Sequence, residues 1–208
     1  MQPRWLTALL IASVAVAGAS LGYVAVTRER SADAIRNTVL RNLRSTGPAD
    51  YESTLGGTTL VFPEMAWRNA RAAGLDIAET IRRTGDNAWL VLDDVSRQMD
   101  LATIYLTSIY RATGTGPHTR GNALDIGYVQ ARGEPLVLLK RIGGDPMQEP
   151  ALAREFRQWL ERSPRVTQVL GPWWMYGGTR NRPNDMTSPL DVGHLTHVHI
   201  TTRGNDVA

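Results

Sequence analysis

The hydrophobic pattern divides this chain before any chemistry is considered. From Trp5 to Val26 there are 22 residues without a charge, bounded by Arg4 on one side and by Arg28 and Arg30 on the other. A helix of that length crosses a bilayer. A cleaved secretory signal is the rival reading, because Ala17-Gly18-Ala19 resembles a cleavage site. The apolar run continues past it to Val26, which favours an uncleaved anchor over residues 1–30. The next stretch, residues 31–57, is mixed and polar, and predicts a tether with a short helix from Ala32 to Leu43. Gly56-Gly57 marks a boundary, so the compact domain is expected over residues 58–208.

Within that domain the periodicity alternates between two kinds. "PEMAWRNARAAGLD" and "IAETIRRTG" predict helices, with Pro63 at a first-turn position and Gly74 and Gly85 as stops. "NAWLVLDDVSRQM" predicts a third helix, with Trp89, Leu92 and Val95 along one side. "LATIYLTSIYR" and "ALDIGYV" read as strands, rich in β-branched and aromatic residues. "EPALAREFRQWLERSP" is an amphipathic helix, "RVTQVLG" a short strand, and "HVHITT" a last strand. The class is α+β: a small antiparallel central sheet with flanking helices, preceded by one N-terminal hydrophobic helix.

Composition narrows the partners. The chain has 208 residues, a net charge of +3 and no cysteine, with a pI near 9.6. Disulfides and thiolate metal sites are excluded. No segment interleaves clustered Lys and Arg with aromatics, so nucleic acid is not an expected partner. Mild basicity suits an anionic surface such as a membrane or a cell wall. Arg28, Arg30, Arg36, Arg41 and Arg44 follow the apolar span, a bias that by the positive-inside rule favours a cytoplasmic body. Large domains translocate despite such charges, and the site chemistry points the other way.

All four histidines lie in two clusters, "PHTRGNALDIGY" and "GHLTHVHITT". In the first, His118 sits at a turn that Gly121 reverses, and Asp125 follows on a strand, on the face opposite Leu124 and Ile126. A carboxylate among Ala, Leu and Ile is costly to bury unless it is paired or binds metal. In the second, His197 and His199 share one face of a strand while Val198 and Ile200 point to the core. His118, Asp125 and one of His197 or His199 would form a His₂Asp set, which zinc accepts readily with a position left open for water. The remaining imidazoles titrate near neutrality and could serve as base, acid or donor.

These motifs resemble the LAS group of zinc metallopeptidases. "IYR…GPHTRGNALDI" is similar to the signature of the D-Ala-D-Ala metallopeptidases, and "HLTHVHI" to the His-x-x-His-x-His of the penicillin-insensitive murein endopeptidases. The resemblance covers residues 100–202. It implies a Zn²⁺ cofactor held by His118, Asp125 and His199, with His197 and His194 as active-site histidines. It also implies Arg111 as a catalytic and substrate-holding arginine. The activity implied is hydrolysis of an amide in the stem peptide or cross-link of peptidoglycan, with the body in the periplasm, anchored or secreted. One departure stands out. Thr196 occupies the place where carboxypeptidases and dipeptidases of the group carry a glutamate base, which shifts the base role to His197 and favours an endopeptidase.

Three aromatics in "GPWWMYGG", Trp173, Trp174 and Tyr176, could wall a cleft for peptide or sugar. Upstream of the last strand, Asp185 and Asp191 could orient His194 or His197. Two other functions fit the same residues: a D,D-carboxypeptidase, and a non-catalytic module in which zinc staples the fold.

Overall fold

A computed structural model describes residues 30–141 and 148–204. The expected N-terminal apolar helix lies outside the described residues. Among those described, no helix is long and apolar enough to cross a membrane. The chain divides into two units, Met1–Arg30 and Ser31–Ala208, and the second holds every helix and strand of the described residues.

Six α-helices and ten strands among these residues build an α+β fold. In chain order they are α1 (Ala32–Arg41), β1 (Arg44–Ser45), β2 (Tyr51–Leu55), β3 (Thr58–Phe62), α2 (Glu64–Ala72), α3 (Ile77–Arg83), α4 (Asp86–Gln98) and β4 (Leu101–Ser108). A single 3₁₀ turn (His118–Arg120) leads to β5 (Ala123–Ala131) and β6 (Val137–Leu138). Then come α5 (Ala151–Arg162), β7 (Val166–Leu170), β8 (Trp174–Gly177), β9 (Arg180–Pro183), α6 (Pro189–Gly193) and β10 (Val198–Thr202). The sheet runs β1-β2-β3-β4-β5-β10-β7-β8-β9, with β6 on the outer part of β5. Every pairing is antiparallel except β3 with β4. The sheet is therefore larger than expected and mixed.

Residues 31–57, expected as a tether, belong to the folded body. Ser31 caps α1 by accepting from the Ala34 amide. Ile35 and Val39 on its inner face are fully buried, and Ser53 of β2 donates to the Val39 carbonyl. Gly56 and Gly57, expected to mark a domain boundary, instead form the two-residue turn of the β2–β3 hairpin. Both have positive φ, 61° and 88°, the requirement of a type I′ turn.

One face of the sheet carries the core. Leu60, Ile104, Leu106, Leu124, Ile126, Val169 and Ile200 pack there against Ile35, Trp67, Ile81, Trp89, Leu92, Phe156 and Leu160 of the helices. Burying so much apolar surface is the main drive to fold. Alternation along the strands sends their other side chains to the opposite face. The β4–β5 register shifts three times, once at Ala102 and then at two compensating bulges, Gly127 and Thr107. A Cβ on Gly127 would lie 2.6 Å from the Thr107 methyl, so glycine there lets the bulged strands meet. Beyond the bulges the Tyr105 and Tyr128 rings stack at 4.1 Å between centroids.

Candidate metal centre

The site is assembled by register. A single cross-strand row runs over six strands: Arg182 opposes Met175, Met175 opposes Leu170, and Leu170 opposes His199. His199 opposes Asp125, which opposes Ser108. Directly paired residues share a face. His199 and Asp125 thus stand side by side on the face away from the helical core. His118 is brought over them by its 3₁₀ turn. That turn closes through Gly121, with φ 74°, whose carbonyl accepts from the Gly85 amide at 2.9 Å. A Cβ at Gly121 would collide with the Arg83 carbonyl oxygen and lie 2.8 Å from the Gly85 nitrogen, so the turn can seat against the α3–α4 junction only without a side chain.

Three atoms converge. His118 Nε2 lies 3.2 Å from Asp125 Oδ1 and 3.3 Å from His199 Nδ1. His199 Nδ1 lies 2.7 Å from Asp125 Oδ1. All three residues are buried, and among the described residues they form a group that could hold a metal ion. Tetrahedral bonds of about 2.0–2.1 Å require ligand atoms roughly 3.3 Å apart, and two of the three separations match. The far nitrogen of each ring is also committed. His118 Nδ1 lies 2.9 Å from the Ile109 carbonyl and so donates to it. His199 Nε2 lies 3.0 Å from Thr201 Oγ1, and that hydroxyl lies 3.2 Å from Gln168 Oε1. Such outer partners fix the tautomer so that the inward nitrogen keeps its lone pair.

Burial raises the cost of charge on Asp125, but the adjacent imidazoles of His118 and His199 outweigh it. The carboxyl is held well below the usual carboxylate range. Its second oxygen accepts from Arg111 Nη2 at 2.9 Å, while Arg111 Nε donates to Ser108 Oγ at 3.0 Å. The resemblance assigned Arg111 to substrate. Here it braces the Asp125 carboxylate.

His197 and His194 occupy the more open side. His197 Nε2 is 3.6 Å from Asp125 Oδ1. The His194 ring is centred 5.2 Å from that of His197 and 5.5 Å from that of His199. His194 Nδ1 sits 2.6 Å from the Leu190 carbonyl. Both histidines titrate below the ordinary value of 6.5, chiefly because burial disfavours the charged ring. Each is thus biased towards the neutral, proton-accepting form. Thr196 is exposed, its hydroxyl 3.3 Å from His197 Nδ1.

The three aromatics do not wall this site. Tyr176 opposes Val169, and Val169 opposes Ile200, so Tyr176 lies on the core face. Trp174 shares that face by alternation, its ring 5.3 Å from the Arg157 guanidinium of α5. Trp173 is a buried member of the hydrophobic core. The Asp185 and Asp191 carboxylates do not hydrogen-bond a histidine side chain either; both accept from Arg182. The residues that sequence reasoning missed are the outer partners: the Ile109 carbonyl, Ser108, Thr201, Gln168 and Arg182. Thr201 lies within reach of simple alternation from His199 on the same strand; the others depend on local turns or tertiary pairing.

The chain matches no protein-family model, no curated protein and no solved structure.

Proposed function

We propose that this chain is a zinc-dependent peptidase of peptidoglycan, an endopeptidase of the LAS kind that cleaves an amide in the stem peptide or cross-link. The observation that supports it most is the buried group His118, Asp125 and His199, with ligand atoms 2.7–3.3 Å apart and two further histidines on its open side. His118 Nε2, Asp125 Oδ1 and His199 Nδ1 would hold the ion. Zinc, when bound there, would polarise the scissile carbonyl and bring the pKa of the attacking water from about 15.7 to about 7.

The chain's own residues do the rest. Arg111 orients the Asp125 carboxylate. Ile109 and Thr201 hold the two rings in the tautomer that faces inward. His197, neutral because it is largely buried, accepts the proton of the attacking water and returns it to the departing amine. His194, with Nδ1 engaged by Leu190, presents its other nitrogen to the same side. No serine takes part, so β-lactams should not inhibit the reaction. The N-terminal apolar segment would anchor the body at the outer face of the inner membrane, in the periplasm.

The test is digestion of purified sacculi by the full chain. Cross-linked dimers should split, a chelator should stop the reaction, and zinc should restore it. His197→Ala should keep one zinc and release nothing. Release of a free terminal D-residue alone would assign a D,D-carboxypeptidase. One bound zinc without any product would make the centre a structural staple.

A further inference from the structure

A fully buried aspartate ion pair lies beside the candidate centre and takes no part in holding the ion. Asp191, on α6, is 0% exposed. Arg182 Nη2 donates to its two carboxylate oxygens at 3.0 and 2.9 Å. Arg182 lies on β9, three strands from β10, which at about 4.8 Å per strand puts it roughly 14 Å from His199. Neither residue touches a ligand of the triad by hydrogen bond.

What Asp191 does touch is the support of His194. The helix α6 has only five residues, too few to be stable alone, so outside partners must fix it. Ser188 Oγ accepts from the Asp191 amide at 3.2 Å. Asn184, also fully buried, donates through Nδ2 to the Asp191 carbonyl at 3.0 Å and to the Gly171 carbonyl at 2.9 Å. The His194 amide donates to that same Asp191 carbonyl at 3.1 Å, and the His194 ring donates to the carbonyl of Leu190, the adjacent residue. Main chain and ring of His194 thus both hang from the one turn that Asp191 secures. Arg182 is partly exposed but Asp191 is fully buried, so removing Arg182 leaves a buried carboxylate without its cation, and the nearest structure to give way is this turn.

We propose that Arg182 and Asp191 are positioning residues that place the His194 ring at the open side of the metal centre. The inference rests on the functional reading above only for its kinetic consequence. The ring's placement does not depend on catalysis. The pair fixes the Nδ1–H tautomer of His194 through Leu190, which leaves the nitrogen on the far side of the ring as the lone-pair atom.

The experiment uses the full chain, metal-free and then with one equivalent of zinc. Ring N–H protons bonded to buried carbonyls exchange slowly and resonate far downfield in proton NMR. His194→Ala identifies the His194 resonance by its disappearance. In Asp191→Asn and in Arg182→Ala that resonance should be lost to exchange, while the His118 ring proton bonded to Ile109 remains. Arg182→Lys, which keeps the charge, should retain it. Zinc stoichiometry should stay at one in all variants. In muropeptide hydrolysis, kcat should fall about tenfold with KM unchanged. Retention of the His194 resonance in both Asp191→Asn and Arg182→Ala would overturn the proposal. So would its loss together with the His118 resonance, which would mark general loosening. A wild-type chain without hydrolysis would end the peptidase reading, while the NMR result would still decide this one.

Discussion

The candidate metal centre makes a quantitative demand on stability. Its ligand atoms come from the 3₁₀ turn, β5 and β10; His199 is 81 residues from His118 and 74 from Asp125. An unfolded chain offers no such site, so binding free energy becomes folding free energy. The geometry asks little of the protein. Only the 2.7 Å separation between His199 Nδ1 and Asp125 Oδ1 must open, by roughly 0.6 Å, to reach a tetrahedral edge. At free zinc one hundred times the dissociation constant the expected stabilisation is about 2.7 kcal/mol. For a body of 150–250 residues each kcal/mol moves the midpoint by about 2–4 °C. Zinc should therefore raise Tm by about 5–11 °C over the chelated protein in calorimetry. His199→Ala, which leaves two ligands, should abolish the rise. No rise at saturating zinc, or the same rise in His199→Ala, would refute the assignment of this group as the metal site.

Four other outcomes rest on particular contacts. Both His194 and His197 have folded-state pKa values below the ordinary 6.5, so the unfolded chain takes up more protons as pH falls through about 6.5. The metal-free protein should lose stability on acidification from pH 7 towards 5, and the double change His194→Ala, His197→Ala should flatten that slope in thermal melts. Asp125 acts in a separate, lower window: its depressed pKa contributes stability above about 3.9, lost in stronger acid. Gly121→Ala places a side chain at φ 74° against the Arg83 carbonyl and should cost about 2–4 kcal/mol in urea titration, with zinc affinity falling as His118 moves. Gly127→Ala should cost about 1–3 kcal/mol through the Thr107 methyl, and Thr107→Ala in the same chain should recover most of that loss.

How far the site was legible depends on whether the information was local. His118, Asp125 and His199 stood out because the chain has four histidines and because period-two alternation predicts which side each strand residue takes. That argument held for Asp125 against Leu124 and Ile126. The sequence offers Trp174 and Tyr176 as loop aromatics at a cleft, whereas they lie on β8. Alternation puts those two on a common face, but which face is decided by the pairing of β8 with β7, a tertiary fact. The Gly56-Gly57 pair shows a different failure. A double glycine serves equally as a linker break and as a type I′ turn, and the flanking "YESTL" and "TTLVF" carry weak alternation. Only Phe62, Leu60 and Leu55, all fully buried, reveal that the segment belongs to the sheet. Arg111 was found by motif and given a substrate role; its contact with Asp125 was within reach of physics, since a buried carboxylate calls for a cation.

The position of β10 has a consequence for how the molecule reaches this state. Among the described strands it alone joins β5 to β7, so before it inserts, both neighbours present unpaired edges to any other chain. A slip of one residue on insertion would turn Val198 or Ile200 towards the candidate metal site and drive an imidazole beneath the helices. Capture of the ion by His199 would then act as a check on register, rewarding the one alignment in which the two halves of the sheet are joined correctly.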